Sequence, residues 1–266
     1  MTPASTFTDL VATSSDAANA AHRQPELSER ARRQAEVLAA LRPHVPAHAL
    51  LYQSEDTTPY ECDGLTAYRQ RPLLVCLPET YAQVQAVLKA CHAVGAPVIA
   101  RGAGTGLSGG AMPHPMGVTL SLAKFNKILN VDAYSRTALV QCGVRNLAIS
   151  EAAAPYGLYY APDPSSQIAC TIGGNVAENS GGVHCLKYGL TVHNVLKVKG
   201  FTIEGEPVEF GSDALDTPGM DLLAIMIGSE GMLAVVTEVT VKLIPKPQLA
   251  RCIMASFDDV RKAGDA

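Results

Sequence analysis

From Arg71 onward the chain alternates between short apolar runs and helically spaced apolar positions. Residues 71–78 (RPLLVCLP) form a short apolar run, and Thr80 with Gln83 three residues later makes a capping box. The helix it opens carries Val84, Val87, Leu88 and Cys91 at helical intervals and ends at Gly95 and Pro97. A second buried strand, PVIA at 97–100, leads into RGAGTGLSGG, and β-like runs follow at 117–122, 127–132 and 137–144. The period then lengthens. Residues 146–156 predict a helix with Leu147, Ile149, Ala152 and Ala153 inward and Gly157 as its left-handed C-terminal residue. Strands are expected near 193–203 and 207–210, joined by a hairpin at Glu204-Gly205, and across the Val-rich 231–247, which Pro245 and Pro247 end. Upstream, 28–41 predicts a leader helix stopped by Pro43 and Pro46, and 50–71 an extended connection. Residues 251–266 predict a short strand and an amphipathic helix start. The pattern gives an α+β fold: an N-terminal tail, helix and connection over 1–70, two lobes at about 71–157 and 158–247, and the start of a truncated further domain at 248–266.

Composition narrows the classes. With 47% hydrophobic and 17% charged residues, against about 25% charged in ordinary globular chains, the 266 residues can bury a real core. A net charge of −4 with no Lys/Arg cluster argues against a nucleic-acid partner, which would need a concentrated basic face. Seven cysteines (62, 76, 91, 142, 170, 185 and 252) include no CxxC pair and no metal-ligand spacing, so they read as reduced structural thiols of a cytoplasmic protein. No apolar run reaches the roughly 18 to 20 residues of a membrane span, and residues 1–26 lack the basic and apolar regions of a secretory signal, reading as a frayed tail.

Gly104, Gly106 and Gly109 satisfy GxGxxG after a predicted strand, and Asp132 lies about 20 residues on, which raises a nicotinamide-dependent Rossmann enzyme. That fingerprint requires a helix to open at the third glycine, whereas here GGAMPHPMG follows, with Pro113 and Pro115. What remains is a glycine loop whose amides can curl around an anion, with Arg101, Thr105 and Ser108 as further donors. A second stretch, TIGGNVAENSGG at 171–182, has small residues suited to close approach by a flat ligand. Before it, Asp163, Ser165 and Ser166 serve equally as turn caps or ligand contacts.

RGAGTGLSGGA, PDPSS, TIGGNVAENSGG with CLKYG, and IGSEGMLAVVTEVTVKL, in this order and spacing, resemble the FAD-binding domain of the vanillyl-alcohol oxidase and p-cresol methylhydroxylase (PCMH-type) superfamily. Within it the sequence resembles the FAD-linked glycolate oxidase subunits, and also the D-lactate and D-2-hydroxyglutarate dehydrogenases. The resemblance covers roughly residues 70 to 247 and implies a PCMH-type fold of two α+β subdomains with FAD between them. Arg101, Gly102, Ala103, Gly104, Thr105, Gly106, Leu107, Ser108 and Gly109 would then wrap the pyrophosphate. Pro162, Asp163, Ser165, Ser166, Thr171, Gly173, Gly174 and Asn175 would line the pyrophosphate and ribityl region. Asn179, Gly181 and Gly182 would approach the isoalloxazine side, Glu230 and Gly231 the adenosine ribose, and Val235 and Val236 the adenine edge, with Glu178 a further cofactor contact. FAD is expected to be noncovalent, with His184 and His193 unattached, and His22, His44, His48, His92 and His114 as surface or packing residues.

The implied reaction is oxidation of a 2-hydroxy acid to the 2-keto acid, the flavin accepting two electrons. The implied partners are a second FAD-binding-like subunit and an iron-sulfur subunit, through which a cytoplasmic protein would attach to the inner membrane. In such relatives the substrate machinery lies in a C-terminal cap domain with an HxHxGDGN-type motif. This sequence contains no such motif, so its catalytic residues are unassigned and the expectation is a chain weakly active or inactive alone. The alternative is a noncatalytic or split-enzyme FAD-binding module acting with partner subunits.

Overall fold

A computed structural model describes residues 29–213, 219–249 and 251–266; the expected tail and His22 lie outside the described residues. The first lobe is built on a four-stranded sheet of β1 (Leu50–Leu51), β2 (Leu74–Cys76), β3 (Val98–Arg101) and β4 (Val118–Ser121) in the order β1-β2-β4-β3. β2, β4 and β3 run parallel, and β1 is antiparallel to β2. Helix α1 (29–41) precedes the sheet, a single turn α2 (Ser54–Thr57) follows β1, and α3 (Tyr81–Ala93) links β2 to β3. Thr80 caps α3 by accepting the Gln83 amide, while the Gln83 side chain reaches back one residue further than a capping box requires, to the Glu79 amide at 2.6 Å. Val84, Val87, Leu88 and Cys91 are buried, as their spacing predicts.

The second sheet has the antiparallel order β5-β6-β10-β8-β9, from β5 (Ile128–Asp132), β6 (Thr137–Gln141), β8 (Val195–Phe201), β9 (Pro207–Gly211) and β10 (Val235–Lys242). Helices α4 (Asn146–Ala153), α5 (Ile172–Glu178) and α7 (Leu222–Met226) belong to this lobe, with α6 (Cys185–Tyr188) between α5 and β8. A small ribbon pairs β7 (Leu158–Tyr159) with β11 (Ile244–Pro245). Gly157 ends the 146–156 helical segment in the left-handed conformation at φ 68°, and Gly205 turns the β8–β9 hairpin at φ 76°.

Four expectations change. The leader helix is a core element, because Val37, Leu38 and Leu41 are buried with β2 and α3, and Gln34 donates to the Leu73 carbonyl at 2.7 Å. β5, β6 and α4, expected before a lobe boundary at 157, join the second sheet, because β6 pairs with β10 from Thr137↔Lys242 to Gln141↔Glu238. The glycine-rich 171–182 contains helix α5 rather than open loop alone. Residues 251–257 make no strand, having no paired edge among the described residues, and α8 (Val260–Asp265) follows, capped by Asp259.

Since Leu41 is fully buried, Leu41→Ala should lower stability by about 2–5 kcal/mol in chemical denaturation. A change within about 0.5 kcal/mol would mean the helix is only appended to the fold.

Candidate functional site

The two lobes enclose a cavity of about 460 Å³, within the size range of cofactor sites. Its first wall begins where β3 ends at Arg101 and the chain enters turns, with no helix before β4. Gly104 sits at φ 70°, and a side chain there would collide with the Arg101 guanidinium, so the loop is wound around its own arginine. Arg101 is buried, donates to the Ala111 carbonyl at 3.4 Å and lies 5.7 Å from the Tyr60 ring centre. Burial lowers its pKa and the nearby Asp63 carboxylate opposes that shift.

The second wall is α5. Thr171 precedes it in extended conformation, and its buried hydroxyl has no hydrogen-bond partner. Gly173 is packed, since a methyl group there would lie 2.7 Å from the Cys142 β-carbon, whereas Gly174 is open with only the Thr171 hydroxyl nearby, at 3.4 Å. Asn175 donates to Asn146 and Asn146 to the Pro162 carbonyl, both at 2.9 Å, tying α5 to α4.

The third wall docks on the end of α5: the Gly228 amide donates to Val176 at 2.8 Å and Glu230 to Ala177 at 2.9 Å. The Glu178 and Glu230 carboxylates converge over Gly110, where a methyl group would lie 2.8 Å from one and 3.6 Å from the other. Burial, then Glu230, pushes the Glu178 carboxyl above its ordinary value, against a hydrogen bond from Ser108. Ala100, Leu122, Cys142, Val176, Val235 and Val236 give the cavity its apolar surface, and burial pushes the Cys142 thiol up to about 12.

A family model described as FAD binding domain matches residues 72–211. The chain belongs to this family. The chain is 65% identical over 228 residues to the glycolate oxidase subunit GlcD of Escherichia coli (strain K12), covering 86% of this chain and 46% of that protein. It is 38% identical over 205 residues to the Bacillus subtilis (strain 168) subunit of that name (77% and 44%), and 36% identical over 225 residues to a D-2-hydroxyglutarate dehydrogenase of Xanthomonas citri (83% and 48%). The chain thus spans about half the length of the curated relatives it matches. Among solved structures, an alkyldihydroxyacetonephosphate synthase superposes with a TM-score of 0.72 at 23% identity, over 80% of this chain and 41% of that one, which shows the shared fold.

The cofactor of this domain is FAD, and the residues present fit it. The open Gly174 and the main chain of the glycine loop line one space with an apolar floor, and the unpartnered Thr171 hydroxyl is buried beside Gly102 and Gly174 at its edge. Of the residues expected from sequence, Arg101 to Leu107, Ser165, Ser166, Thr171, Gly173 to Asn175, Glu178, Asn179, Gly181, Glu230, Gly231, Val235 and Val236 line the cavity. Ser108, Gly109, Pro162, Asp163 and Gly182 do not. Ser108 instead meets Glu178, Pro162 accepts from Asn146, and Asp163 pairs with His184 at 2.7 Å. Cys142, Leu122 and Met226 also line the space, beyond the residues expected from sequence. The alternation of the strands marks the first two only as buried, and Met226 belongs to α7, a helix the spacing did not indicate.

The folded chain holds the Glu178 proton more tightly than the unfolded chain, so this carboxyl's contribution to stability falls as pH rises past its ordinary value and stays lowered at neutral pH. Glu178→Gln is expected to raise the melting temperature at about pH 7 and to leave it unchanged at about pH 3, below the ordinary value of about 4.3. An unchanged melting temperature at neutral pH would contradict the raised Glu178 carboxyl beside Glu230.

Proposed function

We propose that this chain holds the FAD of a flavin-dependent oxidoreductase that converts a 2-hydroxy acid of the glycolate or D-lactate type to the 2-keto acid. The observation that carries the reading is the cavity between the lobes, walled on one side by glycine main chain and on another by the start of α5, where the Thr171 hydroxyl is buried without a partner. FAD, when bound, supplies the two-electron acceptor for the hydroxy-acid carbon. The glycine-loop amides and Thr171 bind its pyrophosphate, Glu178 and Glu230 accept hydrogen bonds from sugar or ribityl hydroxyls, and the apolar surface around Cys142 and Val235 excludes water. The 2-hydroxy acid specificity rests on the names of the relatives, and substrate binding is assigned to the part of the whole protein outside the matched span.

The cofactor is held without a covalent bond in this reading. His184 does not line the cavity and has its Nδ1 on Asp163, while the Nδ1 of His193 accepts the Leu190 amide at 3.1 Å and that of His114 the Met116 amide at 3.1 Å. Electrons pass onward to partner subunits, a second FAD-binding-like chain and an iron-sulfur chain, in the cytoplasm. In this reading any membrane attachment is made through those partners; among the described residues no helix is long and apolar enough to cross a membrane.

Purified chain titrated with FAD should quench flavin fluorescence and acquire the visible spectrum of oxidised flavin; failure to bind FAD defeats the reading. Denaturation should release the whole flavin into a filtrate, whereas flavin remaining on the protein would show a covalent link. Thr171→Val, which removes the orphan hydroxyl at nearly constant shape, should weaken FAD binding by about tenfold in the same titration.

A further inference from the structure

We infer that Asp63 and Gly64 are positioning residues of the flavin site, holding the glycine loop from a strap that lies N-terminal to the residues the family model matches. The inference rests on the reading that the loop binds FAD. Neither residue lines the cavity, so both act through the loop.

Gly64 presses on the outer side of the loop. A methyl group on it would lie 2.7 Å from the Gly106 carbonyl oxygen, 2.8 Å from that of Thr105 and 3.1 Å from the Leu107 side chain. Gly64 is not among the glycines with positive φ, so its backbone would accept any residue. The reason for glycine here is therefore the neighbouring main chain, which leaves no room for a side chain. A substitution must move either the strap or the loop.

Asp63 addresses the same loop through charge. It is 5% exposed; one carboxylate oxygen accepts the Leu65 amide at 2.9 Å and the other is buried without a partner. A buried carboxylate in that state is costly unless a cation faces it. Such a charge acts at longer range from Arg101, 8% exposed and outside ion-pair distance, around which Gly104 curls and over which the strap also lays Tyr60. Asp63 is the first of the nearby groups that offset the lowering of the Arg101 pKa by burial. The strap, residues 50–71, is folded on itself without the loop, by the Gln70 amide on the Glu61 carbonyl at 2.7 Å and by an Arg69–Glu61 ion pair at 2.9 Å, and its β1 end is paired to β2. It can therefore hold the loop in shape before a ligand arrives, which lowers the ordering cost of binding.

The test is FAD affinity of the full chain set against stability of the FAD-free protein. Gly64→Ala should weaken FAD binding by about tenfold and Gly64→Val by more, with the FAD-free melting temperature within about 2 °C of wild type. Asp63→Asn keeps an acceptor for the Leu65 amide and removes the charge facing Arg101; it should weaken FAD about fivefold, and Asp63→Glu should restore part of the loss. Unchanged or tighter FAD binding in both Gly64→Ala and Asp63→Asn overturns the inference. So does a loss of affinity that merely follows a loss of FAD-free stability, because the strap would then be structural. Should Gly64→Ala fail to fold, the pair Asp63→Asn and Asp63→Glu decides. If wild type itself binds no FAD, the functional reading falls and takes this inference with it.

Discussion

At Gly102 and Gly143 the main chain of one lobe presses on the other, and the cavity exists because of how those contacts are made. The Gly143 amide donates to the Phe125 carbonyl at 2.7 Å, and a methyl group there would approach the Leu122 carbonyl oxygen to 2.5 Å. Gly102 likewise faces the Thr171 hydroxyl with no space for a side chain. These two contacts bring the exits of β3, β4 and β6 and the start of α5 to one place. A larger residue at either would spread the lobes and open the cavity, since packed interiors cannot absorb a methyl group there without shifting main chain.

The second lobe supplies the rigid counterpart. β10 is hydrogen-bonded on both edges, to β6 and to β8, and its Val239 and Val241 are fully buried. Its first residues, Val235 and Val236, reach the cavity, so the apolar surface of the site is an extension of the best-anchored strand of the fold. The polar features gather on the opposite side, on loops: the glycine loop with Arg101, and the 228–231 turn with Glu230 at φ 53°. An apolar floor on a strand with polar walls on loops is the division of labour expected where a flat apolar ring system and an anionic chain belong to one ligand.

Much of this was legible locally. Pro113 and Pro115 correctly argued against a helix after the glycine loop, and Thr80, Gly157 and Gly205 marked a cap and two turns that the structure contains. Helix α5 was not legible, because Gly173 and Gly174 cost roughly 1 kcal/mol each in helix propensity; the burial of Ile172 and Val176 and the tie from Asn175 to Asn146 overcome that cost. The strap was equally hidden. Residues 50–71 have no periodicity, and nothing in their order shows that Gly64 meets Thr105 and Gly106.

The sequence by itself determined most of the strands, the helices α1, α3 and α4, the turn glycines at 157 and 205, and, through four ordered motifs, the FAD-binding family. Those features depend on residues a few positions apart, where spacing and backbone preference act directly. The tertiary structure decided which sheet received β5 and β6, placed α1 in a core rather than on a leader, and set Asp63 beside Arg101 and Glu178 beside Glu230. Those choices turn on partners tens of residues apart, β6 against β10 above all, and local order along the chain carries no record of such pairings.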